Sequence, residues 1–206
     1  MSESTPARRI SLPLVLAGGV SSLVLALGMS PTFSAFTASI QNSVNTTASG
    51  TLIMQETSGG LTCKSTDGAA ISTNAATCST INKYGGTGTL LTPGGAANTT
   101  TVTIANTGTV AASSFTLTPG ACTQGALSTP VGTATDLCAK LHVKITTGGT
   151  TVYEGSASAL TAVQSLTPLA AGGSASYTFA VSLDSSADNT YQGLQASQPL
   201  TWAFQA

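Results

Sequence analysis

The chain has very few charged residues. Its 206 residues include six lysines and arginines and seven aspartates and glutamates, and the formal net charge is −1. A nucleic-acid-binding protein needs a clustered basic face to neutralise phosphates, and a protein held electrostatically at a membrane surface needs a polybasic segment. The scarcity of lysine and arginine therefore excludes both classes, and we expect no nucleic-acid partner.

Histidine is scarcer still, since His142 is the only one. A zinc site of the His-Glu-x-x-His type needs two histidines and is excluded by count. A Ser-His-Asp hydrolase would have to use His142, and no Gly-x-Ser-x-Gly turn leads into a helix to present its nucleophile. His142 sits between Leu141 and Val143, so it is expected on the solvent side of a strand. We therefore predict that the chain is not an enzyme and carries no cofactor and no resident metal.

Acidic residues cluster only in the segment 183–189. Asp184, Asp188 and Asn189 supply oxygen ligands, which are what calcium prefers. The spacing lacks the fixed glycine and the terminal glutamate of a calcium loop, and Asp and Asn also favour turns. The pattern therefore favours a turn over a calcium site.

The residues that remain favour β-strands. Threonine, serine, glycine and asparagine are abundant, and no long amphipathic helix is visible. Apolar residues alternate with small polar ones, which is the pattern of half-buried strands, in the segments 98–105, 114–118, 140–146, 174–183 and 199–206. Short strands separated by turns predict an all-β fold, a jelly roll or β-sandwich, formed by one domain over residues 35–206.

Turn signals divide these strands. Asn106-Thr-Gly108 is expected to return the chain to a partner strand at 114–118, and Gly148-Gly149 predicts a two-residue hairpin. Residues 51–54 are strand-like, whereas residues 156–168 are compatible with a helical turn or with short strands. The predicted core comprises Leu52, Val102, Ile104, Phe115, Leu117, Val143, Phe179, Val181, Trp202 and Phe204.

Residues 1–34 have the pattern of a signal-peptide helix. Arg8 and Arg9 precede an uncharged stretch over 10–29, and small residues follow it. Twenty uncharged residues are also long enough for a membrane anchor, but the proline, glycines and serines within them favour cleavage. We expect general secretory export, processing by a signal peptidase, and membrane contact only through the uncleaved signal.

The four cysteines agree with export to an oxidising compartment. Cys63 and Cys78 enclose one loop, and Cys122 and Cys138 enclose another. Four cysteines permit three pairings, of which the two local pairs are the simplest. Each such loop would stabilise the fold by about 3 kcal/mol in the chain-entropy model. A metal site is disfavoured because the spacing is not Cys-x-x-Cys.

Both ends of the chain resemble the TasA/camelysin family of secreted bacterial proteins. At the start, Phe33-Ser-Ala35-Phe36 leads to Ala48-Ser-Gly50-Thr-Leu52, which is similar to the family's cleavage region and first strand. At the end, Asn189-Thr-Tyr191-Gln192-Gly193 and the strand closing on Trp202-Ala-Phe204 are similar to the family's Asn-x-Tyr-Gln-Gly turn and aromatic strand. The two cysteine loops and the low lysine content look more like actinobacterial relatives.

The resemblance implies a fold, a processing site and a partner. It implies a jelly roll, cleavage between Ser34 and Ala35 by the dedicated peptidase SipW, and in several members extracellular fibres of a biofilm matrix. In such fibres the N-terminal segment of one subunit pairs with the sheet of the next, which here would be residues 35–48. Phe36, Ile40 and Val44 would share one face of that strand. The same spacing also suits a helix, and a flexible tail or a first strand within its own domain is the other alternative for these residues.

Three functions are therefore compatible with the sequence. The first is a secreted bacterial cell-surface or extracellular-matrix subunit that associates with itself or with other surface proteins. The second is a monomeric adhesion module that binds a glycan or host surface through tyrosines such as Tyr84, Tyr153 and Tyr191. The least favoured is a secreted hydrolase, since the camelysin name carries a protease claim for which this chain has no zinc-ligand set.

Overall fold

Eleven strands are formed by the residues that the computed structural model describes, which are 40, 41, 44–68 and 70–206. The predicted signal peptide, its Ser34–Ala35 cleavage site and Phe36 lie outside these residues. The strands are β1 (Met54–Ser58), β2 (Leu61–Lys64), β3 (Asn98–Asn106), β4 (Ser114–Pro119), β5 (Thr123–Ala126), β6 (Leu141–Thr147), β7 (Thr150–Ser156), β8 (Gln164–Leu166), β9 (Ser174–Leu183), β10 (Leu194–Ser197) and β11 (Leu200–Gln205). One short helix, α1 (Leu137–Lys140), precedes β6.

Two antiparallel sheets face each other. The large sheet has the order β2-β1-β3-β9-β6-β7, and the small sheet has the order β11-β4-β8. A ribbon of β5 and β10 continues the β4–β11 pair beyond Gly120 and Pro199. The inner faces of the two sheets pack against each other, as in a β-sandwich. The predicted all-β sandwich is therefore confirmed, and the compact unit that contains it spans Ala48–Ala206.

The hairpin between β6 and β7 forms where the two glycines predict it. Gly148 and Gly149 have φ values of 54° and 82°, a left-handed conformation that other residues adopt only with strain.

Two details of the predicted strands were wrong. The strand at 114–118 does not pair with β3, because β4 crosses to the small sheet between β11 and β8. The first strand begins at Met54 and runs to Ser58, later than the strand-like stretch 51–54.

The core lies between the sheets and is mostly the one that the alternation predicts. Val102, Ile104, Phe115, Leu117, Val143, Phe179 and Val181 are buried. Trp202 and Phe204 are only half-buried because they lie on an edge strand, and Leu52 lies before the first strand and is also half-buried. The core also contains Tyr177, Ile145 and Leu160, which were not predicted.

Two disulfides close the two cysteine loops. Cys63 is bonded to Cys78 and Cys122 to Cys138, which are the local pairs, and no described cysteine is free. The first bridge ties β2 to the long segment between β2 and β3. The second ties the entrance of the ribbon to α1. In the part of the chain that the structure describes, no helical segment could span a lipid bilayer.

Asn106 is a fully buried polar residue at the end of β3. Its side-chain amide donates to the carbonyls of Val110 and Leu169 at 2.8 and 3.2 Å, and its oxygen accepts from the Gly108 N–H at 3.1 Å. One side chain therefore supplies hydrogen-bond partners to backbone groups of the turn and of the segment before β9. It fixes the point at which the chain leaves the large sheet for the small one.

We expect the replacement Asn106→Ala to destabilise the protein by about 3 kcal/mol, because it leaves buried backbone groups without partners. Chemical denaturation of the oxidised protein measures the change. The matched control is Asn98→Ala, which removes a single exposed hydrogen bond to the Thr89 carbonyl and should cost less than about 1 kcal/mol. Equal losses from the two variants would contradict the role assigned to Asn106.

Candidate functional site

Strand β11 forms an open edge of the small sheet. It pairs with β4 in unbroken register from Leu200 to Gln205, and no strand of the described residues pairs with its other side. The Gly120 N–H donates to the Pro199 carbonyl at 2.7 Å, which marks a hydrogen-bonded position. Because such positions alternate along an antiparallel pair, the backbone groups of Trp202 and Phe204 face the open side. This row of unpaired groups is named the β11 edge.

The side chains of the β11 edge that face inward are aromatic. The Trp202 ring centroid lies 5.0 Å from that of Tyr177 and 5.7 Å from that of Phe115. The Phe204 ring lies 4.8 Å from Phe115 in an edge-to-face arrangement. Such pairs each contribute about 0.5–1.5 kcal/mol beyond the area they bury. The inward face of the edge is therefore packed against the aromatic residues of the core.

A buried ion pair supports Trp202 from the large sheet. Lys83 Nζ lies 2.7 Å from Glu56 Oε1, and the two side chains are only 10% and 8% exposed. The Trp202 indole N–H donates to the same Glu56 oxygen at 3.1 Å. Glu56 lies on β1 of the large sheet, Lys83 lies in the segment that precedes β3, and Trp202 lies on β11. The cluster therefore connects these three parts of the fold. Charges this deeply buried are tolerated only when paired and hydrogen-bonded, as here.

The other edges of the two packed sheets carry features that discourage pairing. β2 has four residues, ends on Lys64 and is tied by the Cys63–Cys78 bridge. β7 carries Glu154 and pairs with β6 through an irregular register at Ile145 and Thr146. β8 has only three residues. Short length, charge and bulges are the usual means by which proteins protect sheet edges, and the β11 edge has none of them between Leu200 and Gln205.

The described part of the predicted assembly segment is solvent-exposed. Ile40 is 100% exposed and Val44 is 73% exposed, and both precede the compact unit. Phe36, the third residue predicted on this face, lies outside the described residues. Both side chains therefore present apolar surface to solvent.

A cleft of about 330 Å³ lies at the ribbon end of the sandwich. It is bordered by β10, by the ends of β6 and β9, by residues 82–98 and by the turn before β10. Two of the tyrosines singled out in the sequence, Tyr84 and Tyr191, line it, whereas Tyr153 lies on β7. All three are half-buried and their hydroxyls are occupied: Tyr84 donates to Gln198 Oε1, Tyr153 to the Ser156 carbonyl and Tyr191 to Asp136 Oδ1.

Two tyrosines that line the cleft have raised pKa values. Its hydroxyl lies 2.6 Å from Asp136 Oδ1, and this hydrogen bond, with the nearby carboxylates of Asp136, Asp188 and Asp184, raises the pKa of Tyr191 to about 12. Burial raises the pKa of Tyr84 well above its ordinary value. Both hydroxyls therefore stay protonated at physiological pH.

The remaining predicted polar residues form local structure. Asp184 accepts from the Ser186 N–H, and Asp188 accepts from the Thr190 N–H and hydroxyl, which are the hydrogen bonds of turns. His142 is half-exposed, with its Nε2 3.8 Å from Glu154 Oε1. No group of three or more possible metal ligands is found among the described residues.

The buried Glu56–Lys83 pair was not predicted from the sequence. The sequence carries no signal for it, because Met54–Ser58 contains a single apolar residue and no alternation that would mark Glu56 as inward. Lys83 likewise lies in a segment without periodicity.

The chain matches no protein-family model, and no curated protein matches it significantly.

We expect Lys83→Met to destabilise the fold by about 3–5 kcal/mol, because it leaves the Glu56 carboxylate buried without its cation. The double variant Glu56→Gln/Lys83→Met should recover most of that loss. The control Lys144→Met breaks the exposed 2.9 Å pair with Glu154 and should cost less than about 1 kcal/mol. Urea denaturation of the four proteins gives the comparison, and a double variant no better than the single one would contradict the explanation.

The Tyr191–Asp136 bond predicts a loss of stability at high pH. The folded-state pKa of Tyr191, about 12, lies above its ordinary value of 10.0, so the stabilisation is complete below pH 10 and disappears as the pH rises through 12. Asp136→Asn should move the Tyr191 pKa back toward 10 in an ultraviolet titration of tyrosinate absorbance. Asp67→Asn, which alters a carboxylate bonded to the Lys64 N–H instead, should leave the tyrosine titration unchanged.

Proposed function

We propose that this protein is a secreted bacterial structural subunit of the cell surface or extracellular matrix, and that copies join by strand addition. In this model residues 35–48 of one copy pair with the β11 edge of the next. The observation that carries the proposal is the β11 edge itself, which combines unpaired backbone groups with the absence of every protective feature found on the other edges.

The backbone supplies the affinity in this model. A strand added beside β11 gains main-chain hydrogen bonds with the outward groups of Trp202 and Phe204. It would also extend the small sheet, which has half as many strands as the sheet it faces.

The side chains of the proposed donor fit this role. Residues 35–48 contain no charged residue, so no like-charge repulsion or charge desolvation opposes pairing. Ile40 and Val44 are exposed and lie four residues apart, on one face of an extended strand. Burying each on a neighbouring copy would contribute about 1.5–3 kcal/mol.

Export is consistent with the chemistry of the chain. Two disulfides are compatible with an oxidising, extracellular location. The signal-peptide pattern of residues 1–34 supplies the route, and the few charges leave a surface dominated by threonine, serine and glycine.

Electron microscopy and light scattering of two oxidised proteins test the proposal. The protein over 35–206 should form fibres, whereas a version beginning at Gly50 should stay monomeric because it lacks the donor. Fibres from both proteins would place the contact elsewhere, and fibres from neither at any concentration or pH would reject the structural role.

A subunit that lacks the donor strand should bind to a fibre end and stop its growth, an effect called capping. Capping distinguishes the donor from the acceptor. The Gly50 version keeps the β11 edge, so adding it to the longer protein should shorten the fibres. The variant Ala203→Lys places a charge on this edge and should abolish capping. The matched variant Thr151→Lys on β7 should still cap. Capping lost with Thr151→Lys and retained with Ala203→Lys would move the acceptor to β7.

A further inference from the structure

The cleft at the ribbon end is separate in position and chemistry from the β11 edge. Its walls are aliphatic: Leu141, Val181 and Leu183 come from the large sheet, and Leu127 and Leu194 come from the ribbon and the segment that follows β5. Leu90 is 72% exposed and Leu127 is 37% exposed, so water meets apolar surface at the mouth. A volume of about 330 Å³ is at the lower end of the range of ligand-binding pockets, about 300–1,000 Å³.

Among the described residues that line the cleft, the one charged side chain is acidic. Asp188 lines the cleft, and no basic side chain is among the described residues that do so. The Asp188 oxygen Oδ1 accepts from the Thr190 N–H and hydroxyl at 2.8 and 2.6 Å. These bonds lower the pKa of the carboxyl group, so Asp188 is ionised at neutral pH.

Two further carboxylates strengthen this field. Asp136 and Asp184 lie close enough to Tyr191 to act on its hydroxyl together with Asp188. Lys140 is the nearby cation, and its Nζ donates to the Ser186 hydroxyl at 2.8 Å. Within the described part of the chain, none of the three aspartates forms an ion pair. Asp188 thus gives the rim of the apolar cleft a negative charge, and Asp136 and Asp184 lie near Tyr191 but outside the lining.

We infer that this cleft binds small organic cations that carry an ammonium group on an apolar body. The ammonium group would lie beside the Asp188 carboxylate and the body would contact the leucines. An anionic amphiphile of the same shape meets repulsion from the rim, and an uncharged one gains only the apolar contact. The inference does not depend on assembly, because none of these residues belongs to β11.

Isothermal titration calorimetry with three ligands of equal length tests the inference. Hexylammonium should bind tightest, hexanol more weakly and hexanoate weakest to the oxidised protein over 35–206. Each methylene removed from the ammonium ligand should weaken binding about fourfold, as expected for burial of one methylene. Saturation-transfer NMR on the same samples should show contact along the alkyl chain. Equal binding of the three ligands, or an affinity independent of chain length, would overturn the inference.

Two substitutions test the assigned groups separately. Asp188→Asn keeps an acceptor for Thr190 but removes the charge, and should reduce the preference for hexylammonium over hexanol by up to about fivefold. Leu127→Lys puts a cation at the mouth and should shift the preference toward hexanoate. The control Val163→Lys adds the same charge at a residue that is 54% exposed and outside the cleft, and should change nothing. A control that behaves like Leu127→Lys would show that net charge, not the cleft, governs binding.

Discussion

The unequal width of the two sheets is the constraint on which the rest of the structure depends. Six strands face three, so part of the inner surface of the large sheet needs some other cover. Burial of apolar surface is the main stabilising contribution in a fold of this kind, and the chain has few large side chains to provide it. Three features compensate for this shortage: the ribbon, the segment between β2 and β3, and the two disulfides.

The buried ion pair follows from the same constraint. Where β1 extends beyond the small sheet, the segment before β3 folds over it and brings Lys83 to Glu56. The pair then holds Trp202 by its indole N–H, so the last strand is attached to the opposite sheet by a polar contact as well as by ring packing. A polar cluster at the rim of a small core fixes the position of β11 where apolar packing is incomplete.

The positions of the strands with strong alternation could be predicted from the sequence. β3, β6, β9 and β11 lie where Val, Ile, Leu and aromatic residues recur at every second position, and the glycine pair gave the hairpin. The partner of β4 was not predictable, because alternation identifies an inward face but not the sheet that it joins. The cleft and the Glu56–Lys83 pair depend on residues far apart in the chain, within segments that have no periodicity. The open edge is likewise a property of strand order.

Trp202 is the only tryptophan in the chain, and this makes the protein its own optical reporter. Its indole lies 5.0 Å from the Tyr177 ring, with a carboxylate on its N–H and the Lys83 ammonium 6.0 Å from the ring centroid. The emission of this single fluorophore therefore depends on the two charges and on how much water reaches the last strand. Any event that covers or uncovers that strand changes the wavelength and quenching of one signal, without a dye or a label.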